Sequence, residues 1–277
     1  MKSSAISHTQ RQALYSFGAE IISKISALGC ALWRDKKAQL AIACIFGINI
    51  LFIAAHCAVQ IGRHLGARSD LLLIQHFDLF RIDRDGSYAE WFVYVQTAVC
   101  VALLLGVFRR TRQPLYIAWA LTFLFVVLDD SLMIHERVSI YLVNTFDIPV
   151  LPGLRPHESG ELLTWAMAGS VLFGVLWWGF ARSRPGARAA GGVLALTFCA
   201  LVFFAIGVDM LHVALSHPGA ALYGMLAILE DGGEMLSIAL TCAVALLLYR
   251  HPALAGEMAV RPGPSPKTIG LGQSAAE

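Results

Sequence analysis

Residues 222–249 read LYGMLAILEDGGEMLSIALTCAVALLLY, and their only charged side chains are Glu230, Asp231 and Glu234. At about 1.5 Å of rise per residue, a helix of this length crosses a hydrocarbon core of about 30 Å. At about 100° per residue the three acids share an arc of about 100°, so the helix carries one acidic stripe on an otherwise apolar surface. The stretch therefore specifies a membrane span and also marks a site within it.

Five more segments qualify as spans: Gln39–Ile61, Trp91–Phe108, Pro114–Ile134, Leu162–Ala181 and Gly192–Leu215. The chain as a whole agrees, with 57% hydrophobic and 14% charged residues and a mean hydropathy of +0.65. A soluble domain averages about 45–50% apolar and 25% charged, so a water-soluble globule is excluded. The net charge of +2 gives no basic surface for nucleic acid. The predicted fold is all-α, a six-span transmembrane bundle over residues 38–250.

The charges orient this bundle. Arg63, Arg68, Arg81, Arg84, Arg137 and Arg155 fall on one face, which leaves 15 of the 21 Lys and Arg residues on the other. By the positive-inside rule both termini are cytoplasmic. No cleavable signal peptide is expected, because residues 1–37 lack a short apolar core followed by a cleavage site. Within them Leu14, Phe17, Ile21, Ile25, Leu28 and Leu32 recur at helical spacing, which predicts an amphipathic helix at the inner interface. A second such candidate is Asp70–Phe80 on the outer side, followed by a turn through Asp83–Gly86. Ser87 and Glu90 form a capping box opening the second span. The Pro-rich residues 251–277 read as a disordered cytoplasmic tail. The six cysteines lack metal or redox spacing and read as small apolar residues.

The acids are more unevenly placed than the bases. Only Glu20, Asp35, Glu257 and Glu277 lie on the cytoplasmic side, leaving 15 of 19 in outer loops or outer halves of spans. An ionised carboxylate costs at least about 2.5–3.5 kcal/mol at the bilayer centre, so such groups face a wet cavity, a partner or a metal. Asp129, Asp209 and Glu230 lie roughly 10–12 Å below the outer surface and Glu234 about 18 Å below it. Asp129 and Glu136 share a helix face, as do Asp209 and His212. His135 points about 100° off the Asp129/Glu136 stripe, and joins the site only if the helix ends or turns there. Gly232 and Gly233 sit opposite the acids, as expected where another segment approaches closely. His56, Gln60 and His64 add a polar row on the first span, read as helix-contact groups. His157, Glu158 and Glu161 read as caps of the fourth span.

Carboxylates and histidines converging from several helices have the donor chemistry of a zinc, iron or manganese site. Asp129, Glu136, Asp209, His212, Glu230 and Glu234 are the candidate metal ligands. Asp130, His135 and Asp231 are candidate general acids or bases. Without a cation so many close carboxylates could not all stay ionised. That leaves open a metal-dependent enzyme acting on a lipid or other apolar molecule. A proton- or cation-coupled transporter using the same acids, or a non-catalytic membrane partner or sensor, also remains open.

Phe77–Trp91, the segment Leu128-Asp129-Asp130-Ser131-Leu132-Met133-Ile134-His135-Glu136 and the segment Leu229-Glu230-Asp231-Gly232-Gly233-Glu234-Met235 resemble a group of uncharacterised bacterial multi-pass proteins. The resemblance covers roughly residues 77–240, implies a bacterial inner-membrane location and supplies no chemistry. A fainter likeness is to alkaline-ceramidase and adiponectin-receptor-like membrane hydrolases, whose zinc is held by three histidines. This chain lacks their His-x-x-x-His and has six expected spans where they have seven.

Overall fold

The computed structural model describes residues 8–64, 78–146, 148–151, 153–215 and 220–256. Helices α1 (His8–Arg34), α2 (Lys36–His64), α3 (Tyr88–Thr111), α4 (Pro114–Leu132), α5 (Ile134–Thr145) and α6 (Pro156–Ala181) come first. Then follow α7 (Pro185–Val202), a π-helical turn (Phe203–Val208), α8 (Asp209–Ala214) and α9 (Ala220–Arg250). Among the described residues six stretches are long and apolar enough to cross a membrane. They are Lys36–Gly62, Tyr88–Thr111, Pro114–Leu132, Pro156–Ala181, Pro185–Ala214 and Gly224–Arg250. The chain is a multi-pass, all-helical bundle whose six spans are those expected, although the fourth and fifth begin six and seven residues earlier, at Pro156 and Pro185.

Helix α9 is the axis of the bundle. Its apolar window is 67% buried, against 11–44% for the other five spans, and it packs on α2, α3, α7 and the π turn. The acidic span is thus the one most enclosed by protein. The core is densest in the half of the bundle that carries the described chain ends, where Leu104, Tyr116, Phe123, Leu194, Ile238 and Leu248 are each 2% exposed or less. Close helix approach there depends on small residues. A Cβ on Gly179 of α6 would lie 2.8 Å from the Ala118 Cβ and 3.0 Å from the Leu115 Cα of α4.

Two short turns brace this end. Arg112, at φ 56°, ends α3 in the left-handed region, and proline at the first position starts both α4 and α7. The Gln113 side chain accepts from the Arg184 backbone N–H at 3.0 Å, and Ser183 Oγ accepts from the Leu115 N–H at 3.0 Å. Each turn therefore satisfies the other's free backbone donors.

Helix α1 forms as predicted and docks on α7, and its Phe17 also stands edge-on to Phe180 at the end of α6, at 5.7 Å. Leu28 is buried, while Ile25 of the same stripe faces outward. Beyond α9 the chain does not leave the bundle at Arg250. Residues Pro252–Ala255 make a 3-10 turn, with Tyr116 Oη donating to the Ala255 carbonyl at 2.9 Å and Lys24 Nζ to that of Leu254 at 2.8 Å. Arg250 holds Asp35 with two hydrogen bonds of 2.5 and 2.9 Å. That guanidinium, helped by the Ala38 N–H, pulls the Asp35 carboxyl down to about 2. The first residues of the expected tail are thus packed, and residues 257–277 lie outside the described residues. So does most of the Asp70–Phe80 candidate, of which Asp78–Phe80 form a 3-10 turn.

Halfway along the bundle, Asn49 of α2 and Gln96 of α3 exchange amide hydrogen bonds at 3.0 and 3.2 Å, both side chains buried. Interhelical polar pairs in membranes average about 0.6 kcal/mol and reach about 1.7. A double-mutant cycle with Asn49→Leu and Gln96→Leu, read by denaturant unfolding in mixed micelles, should return a coupling energy within that range.

Candidate functional site

The site is built around a break in the helix. After Leu132 the chain turns through Met133 at φ 50°, ψ 45°, and the Met133 N–H bonds back to the Asp129 and Asp130 carbonyls. Helix α5 then restarts in a new direction. This supplies the turn on which His135 depended in the sequence reading. Asp129, only 1% exposed, spans the break: Oδ1 accepts the His135 backbone N–H at 3.0 Å and Oδ2 meets the ring Nδ1 at 2.8 Å. The ring lies 5.4 Å from Trp165 of α6, tilted by 32°. With Nδ1 fixed by a carboxylate, Nε2 is the nitrogen available for chemistry.

A second imidazole is held in the same way. His212 Nδ1 on α8 stands 2.7 Å from Glu230 Oε2 on α9. Between the two pairs lies a cavity in two adjoining lobes. One, of about 390 Å³, is walled by the segment Ile82–Asp85, the start of α3, His212 and α9. The other, of about 280 Å³, is lined by His135, Glu136, Glu161, Trp165, the π turn and Asp209. Asp130, Glu230 and Glu234 face both lobes and form their common wall.

Of the nine residues singled out in the sequence, eight line this cavity: Asp130, His135, Glu136, Asp209, His212, Glu230, Asp231 and Glu234. Asp129 stands behind His135, both of its oxygens engaged. Among the described residues no group of three or more His, Cys, Asp or Glu side chains is arranged to hold a metal ion.

The wall also includes residues that the sequence reading had placed elsewhere. Glu161 and Trp165, one turn apart on α6, line the lobe of His135, and Arg84, Asp85 and Glu90 line the other. The sequence pattern groups Glu161 with Glu158 as a helix cap. Glu158 is that cap, accepting the Arg155 N–H at 2.9 Å, whereas Glu161 pairs with His157 at 2.9 Å and reaches the cavity. The four-residue spacing of Glu161 and Trp165 was the available signal. Ser87 caps α3 by accepting the Glu90 N–H, but the reciprocal half of the predicted box is shifted by one residue, because the Glu90 carboxylate accepts from the Gly86 N–H; Glu90 also accepts the Tyr94 hydroxyl.

The segment over the first lobe is pinned by Asp83. It accepts from Arg81 at 2.8 and 2.5 Å and meets Nδ1 of the fully buried His56 at 3.3 Å. Burial works against the charge, but His56 and Arg81 outweigh it and hold the Asp83 carboxyl well below the usual range. His56 thus has a structural role, tying α2 to the turn that carries Asp83. Gln60 lies 3.4 Å from its other nitrogen.

A family model described as a domain of unknown function, DUF8692, matches residues 40–248. The chain belongs to that family. The match runs from the first span to the last and takes in every cavity residue named above. A stretch of 110 residues is also 34% identical to a phosphatidylglycerol–prolipoprotein diacylglyceryl transferase of Teredinibacter turnerae, covering 39% of this chain and 35% of that protein. The match thus spans about a third of the length of that curated relative. No solved structure matches.

His135 lies just beyond the apolar span that carries Asp129, and the pair has a measurable signature. Burial lowers the His135 pKa, but the Asp129 bond and the neighbouring carboxylates outweigh it and raise the value above the ordinary 6.5. A histidine whose pKa is raised by folding adds stability that is complete below its unfolded value and is lost as pH rises through its folded value. Titration of the His135 ring by NMR should give a midpoint above 6.5 in the native chain, falling in Asp129→Asn. An unchanged midpoint in that variant would remove Asp129 as the cause.

Proposed function

We propose that this protein is a membrane-embedded, metal-dependent enzyme acting on a lipid, with its cavity opening toward the outer leaflet of a bacterial inner membrane. The observation that carries this reading is the His135 ring. A buried carboxylate fixes its Nδ1 and Nε2 is left to an acid-lined cavity, the geometry of an oriented general base. Asp129 then holds the tautomer and offsets the charge that develops when His135 takes a proton. The name of the Teredinibacter relative supports a lipid substrate.

The donor chemistry of the cavity fits a divalent cation. Carboxylate oxygens dominate and two imidazoles stand at the edges, which suits iron or manganese and, less closely, zinc. Asp130, Glu230 and Glu234, common to both lobes, would hold it, with Asp209, Glu136 and His212 drawing in around them and Asp231 beside them as a proton carrier. Such an ion, when bound, would polarise a substrate oxygen or bound water and offset the wall's negative charge. Because both oxygens of Asp129 serve His135, its role is positioning rather than ligation.

A transporter needs a path to the opposite face. Below Glu234 the α9 face continues through Ile238, Cys242, Ala245 and Leu248, each 2% exposed or less, and the Pro252–Ala255 turn packs against that end. This filling favours a site that works from one side.

Metal analysis of protein purified without chelator should find near-stoichiometric iron, manganese or zinc. The content should fall at least about tenfold, to background, in folded Glu230→Ala and Asp209→Ala variants; a metal-free, fully folded native preparation would exclude the metal. With total bacterial lipid in mixed micelles, His135→Gln should slow product formation, followed by mass spectrometry, by about 10²–10⁴-fold, the usual contribution of a general base. Turnover unaffected by that change would rule out His135 as the base.

A further inference from the structure

We infer that Phe204 and Gly233 are positioning residues for the cavity: the Phe204 ring, seated on the bare backbone of Gly233, holds the π turn that aims Asp209 and His212 at Glu230. In a regular α-helix, residues five apart such as Phe204 and Asp209 point about 140° away from one another. In a π turn the hydrogen bond runs from i to i+5, so residues five apart come to lie nearly one above the other. The turn Phe203–Val208 covers that interval up to the residue before Asp209. It lets Phe204 press on α9 while Asp209 lines the cavity and His212 reaches Glu230 at 2.7 Å.

The seat for the ring is specific. A Cβ at position 233 would stand 2.3 Å from Cδ1, 2.4 Å from Cγ and 2.8 Å from Cδ2 of Phe204, so no side chain fits while the ring stays in place. Its neighbour Gly232 faces Ile53 of α2 at an ordinary 3.5 Å and would accept a methyl group. The two glycines therefore differ in role, and only the one beneath the ring lies between Glu230 and Glu234 on the side of the π turn. A π turn is a costly departure from regular helix and persists where surrounding structure holds it. The aromatic ring fixed on α9 supplies that hold, directly before the two residues it aims.

This inference rests on the cavity as the working site, and its test reads the His212 bond directly, so the two can fail separately. The full chain, labelled with ¹⁵N-histidine in lipid nanodiscs, should show a hydrogen-bonded Nδ1–H signal, assigned to His212 by its absence in His212→Gln. Phe204→Leu, which keeps an apolar branched group on the glycine, should retain that signal. Phe204→Ala should lose it, and so should the double variant Phe204→Ala/Gly233→Ala, in which the methyl group refills part of the vacated space and keeps the packing. Gly232→Ala should leave it unchanged. A native His212 signal in folded Phe204→Ala or in the double variant would overturn the positioning role. Loss of the signal with lipid turnover intact would support it and count instead against the cavity as the working site.

Discussion

One buried carboxylate organises the acid-rich end of this bundle. Asp129 binds both the backbone and the ring of His135 across the left-handed turn at Met133. A non-glycine residue in that conformation costs roughly 1–2 kcal/mol, and the hydrogen bonds that Asp129 makes to a charged or polarised partner, about 1.5–3 kcal/mol each, offset it. The bond also fixes the direction in which α5 leaves α4. Ser139 of α5 then donates to the His157 carbonyl at 2.6 Å, and Gly160 sits so close that a Cβ would meet Ser139 Oγ at 2.5 Å. That contact places α6, and with it Glu161 and Trp165. The chain of causes thus runs from a single side chain through a turn to a helix pair and one wall of the cavity.

The opposite wall follows a different principle. Helix α9 is regular from Ala220 to Arg250, and its acids face the cavity because they share an arc. What must adjust is the helix beside it. The fifth span carries Asp209 and His212 on a stretch whose register is shifted by the π turn. Irregular helix appears on both sides of the cavity, as a left-handed break on one and an underwound, widened turn on the other. In a membrane such departures survive only where neighbouring protein supplies the missing partners. Here Asp129 accepts the His135 N–H at the break, whereas the π turn keeps its own backbone hydrogen bonds and is braced by the packed ring of Phe204.

The spans were legible because hydrocarbon imposes length and composition on a helix regardless of its neighbours. Glu230, Asp231 and Glu234 were legible for the same reason, since three acids on one face of an apolar helix are conspicuous. His135 was not, because its phase depends on a break at Met133, a residue with no turn preference of its own. Glu161 was hidden by position: an acid in the first turns of a helix has an ordinary reason to be there, as Glu158 shows. Composition also misplaced residues 251–256. Proline and small residues lower the capacity to form a core, yet they suit a tight turn that lends carbonyls to Tyr116 and Lys24.

The two ends of the bundle use their charges in opposite ways. At the end carrying the described termini, bases close the structure: Lys24, Arg110 and Arg188 donate to helix-end carbonyls, and Arg250 secures Asp35. The first three reach backbone acceptors that helix geometry leaves without a partner. Acids cannot perform that service, because they accept hydrogen bonds and helix ends of this kind need donors. At the other end the acids instead face one another across a cavity, an arrangement that raises the energy of the empty protein and lowers it when a cation or a proton arrives. A fold that needed only to be stable would place them otherwise. The two ends thus satisfy their charges differently, with bases meeting carbonyls at one and acids lining a cavity at the other.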